Sequence, residues 1–346
     1  MIIYSTNPAL ELTNLLAATD YDRLFLLTDT TTERLCKPLI SGCKAIENAS
    51  SIVIKPGDAH KNINTLQDVW QALVSGGASR KSLLVNLGGG MVTDLGGFAA
   101  ATFKRGIRYV NIPTTLLAMV DAAVGGKTGI NFGGLKNEIG AFRDSEAVII
   151  DTTFLRTLDA ENLRSGYAEM LKHALLSGEE MWNAHIAYDL ESPNLEMLQE
   201  MVRQSIDVKS GIVEQDPHER GLRKALNLGH TTGHAFESLA LRQGRPMLHG
   251  YAVAYGLVCE LYLSCRLTGF PEKKMRQAFT FVRQNYGTFR FTCDDYPALI
   301  ELMRHDKKNI GGLINFTLLA DAGNLRLDSH ASTAQIEDML DFYSNV

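Results

Sequence analysis

Along the first 150 residues the apolar positions fall in short runs, not in helical stripes. Arg23–Thr28, Ser51–Ile54, Ser82–Leu87, Arg108–Ile112 and Ala147–Asp151 are rich in Leu, Ile and Val and predict buried strands. Between them, Thr65–Val74 and Met91–Phe103 repeat apolar residues at helical spacing. Strands that alternate with helices and are apolar almost throughout imply a parallel sheet covered on both faces. After Asp151 the pattern changes. Glu161–Leu176, Asn194–Gln215, Thr231–Arg242, Tyr251–Thr268 and Lys274–Tyr286 predict long amphipathic helices. One hairpin interrupts them, Leu313–Leu319 turning through Asp321-Ala322-Gly323-Asn324. The expected fold is a Rossmann-like α/β domain over 1–158, with a parallel sheet, followed by a mostly α-helical domain over 159–346.

Composition supports two domains and narrows their partners. With 346 residues and 45% apolar content, each half can bury a core. A net charge of −5 argues against nucleic acid, which calls for a basic domain. Apolar stretches are broken by Asp, Gly or Lys before membrane-spanning length, so no membrane partner is expected. The opening Met1-Ile2-Ile3-Tyr4-Ser5 lacks the basic start and long apolar core of a secretory signal. The five cysteines are odd in number and form no C-x-x-C pair, so reduced thiols and a cytoplasmic location are expected.

Two glycine stretches and one histidine cluster carry the candidate chemistry. Gly88-Gly89-Gly90 follows a predicted strand and opens a predicted helix. Such a turn lets the backbone approach a pyrophosphate at the positive end of a helix. Thr93 stands where a third glycine would complete the dinucleotide fingerprint, and Asp94 could hold a ribose hydroxyl. Gly125-Gly126-Lys127 sets a lysine beside flexible backbone but lacks the spacer of a P-loop. His230 and His234 stand at i and i+4, which puts both imidazoles on one helix face, and His249 begins another helix. The absence of H-E-x-x-H disfavours a zinc protease. Glu169 and Lys172 read either as a surface helix pair or, since their neighbours are apolar, as a buried acid that needs a cation. Spacing alone leaves open which of His230 and His234 binds a metal.

Taken together, the segments from about Lys55 to Leu319 resemble the 3-dehydroquinate synthases, a family of sugar-phosphate cyclases. The resemblance rests on Pro56-Gly-Asp-Ala-His-Lys61, Gly89-Gly-Met-Val-Thr-Asp94, Lys104-Arg-Gly106, Ile112-Pro-Thr-Thr115 and Asp121 to Asn131. It continues through Lys136-Asn137, Ala168-Glu-Met-Leu-Lys172, Leu226 to Ala235, His249-Gly250 and His305-Asp-Lys-Lys308. It implies an NAD-binding first domain, a helical metal- and substrate-binding second domain, and an active site in the cleft between them. It further implies zinc or cobalt and a homodimer. By this resemblance Glu169, His230 and His249 take the metal-ligand positions, and His234 faces the substrate. Asp58, Lys61, Gly89, Gly90, Asp94, Thr114, Thr115, Lys127, Lys136 and the stretch Phe154, Leu155, Arg156, Thr157 fall on cofactor positions. Asp121, Lys127, Asn137, Lys172, Lys209, Arg223, Asn227, His234 and Lys307 fall on substrate positions, with Lys308 as the alternative to Lys307. Arg105 matches an arginine that reaches the neighbouring subunit's substrate phosphate.

The reaction so implied takes 3-deoxy-D-arabino-heptulosonate 7-phosphate to 3-dehydroquinate and phosphate. It runs through transient oxidation by NAD, β-elimination, return of the hydride and aldol closure. A substrate with a carboxylate and a phosphate wants several cations. Arg223 suits a bidentate carboxylate, and the lysines serve as point charges. His234 and Lys172 could relay protons. The rival readings are a related sugar-phosphate cyclase and an NAD-dependent polyol dehydrogenase, the latter making NADH in stoichiometric amount.

Overall fold

The computed structural model describes residues 1–133, 135–304 and 314–345. Two compact units emerge: Met1–Asp159 together with Asn194–Ile206, and Ala160–Pro193 together with Asp207–Val346. Residues 194–206, expected in the second domain, therefore belong with the first.

The first unit runs β1 (Ile2–Tyr4), α1 (Pro8–Ala17), β2 (Leu24–Asp29), α2 (Thr30–Leu35), α3 (Lys44–Glu47), β3 (Ser50–Ile54) and α4 (Ile63–Ser75). It continues with β4 (Leu83–Gly88), α5 (Gly90–Thr102), β5 (Arg108–Pro113), β6 (Lys127–Phe132), β7 (Leu135–Phe142) and β8 (Ala147–Ile150). Six strands pair in the order β1-β8-β5-β4-β2-β3, every pairing parallel. The five strands predicted from apolar runs are all in it. β2 and β4 are buried at every residue, as central strands covered on both faces must be. Leu66, Val69 and Leu73 of α4 and Val92 and Leu95 of α5 bury against Phe25, Leu27 and Leu84. Each such side chain contributes roughly 1.5–3 kcal/mol by leaving water. The chain steps from β2 outward to β3, then returns past β2 to β4 and moves the other way through β5 to β8. That reversal between β2 and β4 opens a crevice at the strands' carboxyl ends, where ligands of such sheets bind. β6 and β7 form a separate antiparallel hairpin.

The second unit is helical: α6 (Ala160–Ser177), α7 (Glu179–Ile186), α9 (His230–Arg242), α10 (His249–Leu267), α11 (Glu272–Tyr286), α12 (Tyr296–Arg304) and α13 (Thr333–Asn345). α8 (Leu195–Gln215) begins among first-unit residues and ends among second-unit ones. β9 (Asn315–Asp321) and β10 (Asn324–His330) form the expected hairpin, turning at Ala322-Gly323 and reaching further than the sequence suggested. Residue 313, its expected start, lies outside the described residues. α10 is apolar nearly all round, so it is buried, packed by α6, α9, α11, α13 and β9. Among the described residues no helix is long and apolar enough to cross a membrane.

Candidate active site

Two glycines of α10 decide how closely three helices of the second unit approach. A Cβ on Gly250 would lie 1.8 Å from the Ser165 carbonyl oxygen of α6. A Cβ on Gly256 would lie 1.9 Å from the Gly229 carbonyl oxygen at the start of α9. No side chain fits at either contact, so α6, α9 and α10 meet backbone to backbone. Gly250 N–H also donates to Ser165 Oγ at 3.1 Å.

That packing brings Glu169, His230, His234 and His249 together. Glu169, midway along α6, is fully buried. Its Oε1 lies 3.3 Å from His230 Nε2 and 3.5 Å from His249 Nε2. An ion bound tetrahedrally at about 2.1 Å separates its ligands by about 3.4 Å, so both distances fit a shared divalent cation. His234, one turn along α9, places its ring 5.3 Å and 5.8 Å from those of His230 and His249. One nitrogen of each of the three histidines lies within 4.8 Å of the others. Lys172, one turn beyond Glu169 and equally buried, ion-pairs with Glu169 Oε2. The surface-pair reading of Glu169 and Lys172 is thereby corrected: their helix face is interior, because Tyr167, Ala168, Met170 and Leu171 around them are buried as well.

The cluster attracts positive charge. Burial alone would raise the Glu169 carboxyl, but Lys172 and the imidazoles of His230 and His249 outweigh it and hold it well below the usual range. Burial alone would lower His249, but the Glu169 and Glu237 carboxylates outweigh it and push the imidazole up to about 10. Even so, neither Glu169 oxygen accepts a well-directed hydrogen bond among the described residues. A buried carboxylate left that way, facing two imidazole nitrogens, is a donor set suited to zinc or a similar ion. His230 Nδ1 lies 3.1 Å from Leu228 O, and His249 Nδ1 lies 3.4 Å from Glu237 Oε2. Such outer contacts fix ring orientation and leave the Nε2 atoms turned toward Glu169.

Other expected substrate residues of this unit are buried or half-buried. Arg223 and Asn227 lie on the turn just before α9. Arg223 Nη1 donates to Pro217 O at 2.6 Å, and its backbone N–H to Asp216 Oδ2 at 3.0 Å. Asn227 Nδ2 donates to Glu219 Oε1 at 3.0 Å. Lys209 is buried on the second-unit part of α8. Lys307 and Lys308 lie outside the described residues.

In the first unit the expected cofactor residues gather at the carboxyl ends of strands. Gly89 and Gly90 open α5 directly after β4, and the N-terminus of α5 carries no side-chain cap. Its first N–H groups are therefore available to an anion at the positive end of a 13-residue helix. Thr114 and Thr115 follow β5, and Thr114 N–H donates to Gly88 O at 3.0 Å. Phe154 to Thr157 follow β8, but Phe154 and Leu155 are buried, which leaves Arg156 and Thr157 the more open side chains. Lys61 is buried and bonds both Asp94 and Asn137. Asn137, expected on the substrate side, thus bonds a lysine expected on the cofactor side, and it does so in a left-handed backbone conformation (φ 51°). Its N–H donates to Asn131 Oδ1 at 2.9 Å, Asn131 Nδ2 donates to Asp58 Oδ2 at 3.1 Å, and Lys136 Nζ lies 3.7 Å from Asp58. Lys127 begins β6 and is exposed, in a strand and not a phosphate loop. Asp121 is half-buried in the turn after β5. Arg105 is exposed, and both it and Lys104 hold positive φ.

Sequence reasoning overlooked Glu237 and Glu260 and gave Asn131 no role. Glu237 follows His230 by seven residues and His234 by three, so helical spacing puts all three on one face. Glu260 is an acid inside an otherwise apolar helix, a signal that a buried partner must exist.

The chain matches the family described as 3-dehydroquinate synthase N-terminal over residues 51–165 and 3-dehydroquinate synthase C-terminal over residues 166–309. It is 54% identical over 333 residues to a 3-dehydroquinate synthase of Parabacteroides distasonis, covering 96% of this chain and 94% of that protein. A 3-dehydroquinate synthase of Leptospira interrogans is 42% identical over 276 residues, covering 79% and 76%. Among solved structures, 2-epi-5-epi-valiolone synthase of Streptomyces hygroscopicus with NAD+ and Zn2+ bound superposes with a TM-score of 0.88 at 25% identity, covering 100% of this chain and 96% of that one. A 2-deoxy-scyllo-inosose synthase complexed with carbaglucose-6-phosphate, NAD+ and Co2+ superposes at 0.86 and 19% identity, covering 99% and 96%, a likeness of fold. With both halves matched in order and a relative aligned nearly end to end, this chain belongs to the 3-dehydroquinate synthase family.

Proposed function

We propose that the chain converts 3-deoxy-D-arabino-heptulosonate 7-phosphate to 3-dehydroquinate and phosphate, with NAD and a divalent cation as resident groups. The observation that carries this reading is the buried Glu169 carboxylate facing two imidazoles, in a chain of this family. Glu169, His230 and His249 hold the cation. The α5 N-terminus, Thr114, Thr115, Asp94, Lys61, Asp58, Lys136 and residues 154–157 hold NAD. When bound, the cation polarises a substrate hydroxyl. When bound, NAD would supply a reversible hydride acceptor, so no NADH should accumulate.

The chain's own part is binding, orientation and proton placement. Arg223 takes the carboxylate with its planar fork, and Asn227 orients a ring hydroxyl. Lys127, Lys172, Lys209 and Lys307 offset the substrate's negative charge, while Asp121 and Asn137 fix its hydroxyls. His234 and Lys172 hold protons beside the reacting carbons. Holding the reactive atoms in register supplies much of the rate gain, and departing phosphate meets charges already in place.

The working form is a homodimer in which Arg105 reaches the partner's phosphate. The apolar and exposed Leu135, Ile139 and Phe142 of β7 support a covered face there. The test follows phosphate and absorbance at 340 nm together, with catalytic NAD and zinc. Phosphate far in excess of NAD, without net NADH, is expected. Equal turnover of the same sugar phosphate lacking its carboxylate would favour a different cyclase. Stoichiometric NADH from a polyol, without phosphate release, would favour a dehydrogenase.

A further inference from the structure

Glu260 is fully buried on α10, three turns beyond His249. Its Oε2 accepts the Gly229 N–H at 2.6 Å, and its Oε1 accepts the Thr232 N–H at 3.1 Å. These two donors flank His230, the first residue of α9. The N-cap position of α9 is Gly229, in left-handed backbone (φ 81°), which has no side chain to offer the helix start. The cap comes instead from a neighbouring helix, and it comes as an acid, the charge that a helix N-terminus favours. On the other side of the same residue, the Gly229 carbonyl is pressed onto Gly256 of α10. The backbone from 229 to 232 is thus gripped from both sides by one helix. That helix also carries His249 at its first position.

We propose that Glu260 is a positioning residue for the metal centre: by capping α9 from α10 it sets the angle at which His230 meets Glu169 and His249. The inference rests on the assignment of Glu169, His230 and His249 as ligands. It differs from that assignment in placing the control of the site about 16 Å along α10 from His249, at 1.5 Å per residue. Glu260 acts on the centre through the α9 backbone, by the bonds it accepts from Gly229 and Thr232. Its two acceptor oxygens hold two donors at once, which an amide of the same shape cannot do: one end of a glutamine would set an NH2 group against a backbone N–H. The start of α9 must then shift, and His230 with it.

The test is zinc affinity of the full chain, measured by competition with a chromophoric chelator well below the thermal midpoint, for Glu260→Gln beside Glu169→Gln. Visible spectra of the cobalt-loaded proteins accompany it. Glu169→Gln should lose zinc binding outright. Glu260→Gln should bind zinc 10- to 100-fold more weakly, the range expected when an outer contact is removed, and its cobalt bands should shift. At saturating zinc its turnover should return most of the way. If Glu260→Gln does not fold, Glu260→Asp keeps the charge on a shorter arm and should show a smaller loss of the same kind. A Glu260 variant with a lower midpoint but unchanged zinc affinity and cobalt spectrum would overturn the positioning role while leaving the ligand assignment intact. Unchanged zinc binding in Glu169→Gln would overturn both.

Discussion

Removing Lys172 exposes how the Glu169 charge is balanced. Lys172→Met keeps the length and apolar stem of the side chain but leaves a fully buried carboxylate without its paired ammonium. At pH 8 the acid can relieve itself by taking up a proton. From its ordinary value of 4.5 that costs a gap of about 3.5 pH units, or about 4.8 kcal/mol at about 1.36 per unit. This sets the ceiling, and it agrees with the roughly 3–5 kcal/mol typical of a broken buried pair. His249 remains beside the acid, which keeps the loss toward the lower end. Trp182 is buried in the second unit and Trp70 lies in the first, so a Trp70→Phe background makes fluorescence report the second unit alone. With a urea slope of about 2 kcal/mol/M, the midpoint in chelator should fall by about 1.5–2.5 M. Zinc takes over the compensating charge, so it should raise the variant's midpoint by more than the parent's. A fall below about 0.3 M, or an equal zinc effect in both proteins, would show that Lys172 does not balance the Glu169 charge.

Other outcomes follow from the same structure. His185 is buried, and desolvation pushes its imidazole down to about 4 from 6.5. Its contribution to stability is complete above pH 6.5 and is lost as pH falls through about 4; roughly 2 kcal/mol should be gone by pH 5, and less in His185→Asn, as read by urea midpoints. Gly250→Ala drives a Cβ into the Ser165 carbonyl and should cost about 2–3 kcal/mol or more while weakening zinc binding. Gly211→Ala on α8 meets nothing within 4 Å and should stabilise by up to about 1 kcal/mol, so denaturation of the two variants gives opposite signs. Lys61→Met removes a buried cation from Asp94 and Asn137 and should weaken NAD binding by about 10- to 100-fold in a calorimetric titration.

The parallel sheet was legible in the sequence because a strand buried on both faces is apolar at every position, as Leu24 to Leu27 and Leu83 to Leu87 largely are. β1 escaped because three residues make too short a run, and its place at the sheet edge is set by pairing with β8. The β6–β7 hairpin escaped because Lys127-Thr-Gly-Ile-Asn and Lys136-Asn-Glu-Ile-Gly carry too few apolar residues to mark a face, and nearly all of β7 is exposed. The metal cluster was legible in part. Spacing put His230 and His234 on one face, but that His249 Nε2 meets Glu169 depends on the backbone contacts at Gly250 and Gly256, which join helices distant in sequence. Residue spacing marked Glu169 and Lys172 as neighbours and left their burial undecided, because burial belongs to the packing of α6 against α10.

The most direct test of the site is anomalous diffraction at the zinc edge from crystals of the zinc-loaded chain. A single strong peak is expected within about 2.1 Å of a Glu169 carboxylate oxygen and of Nε2 of both His230 and His249, with His234 beyond bonding distance. A peak bonded to His230, His234 and His249 with Glu169 turned away, or no peak among these residues, would contradict it.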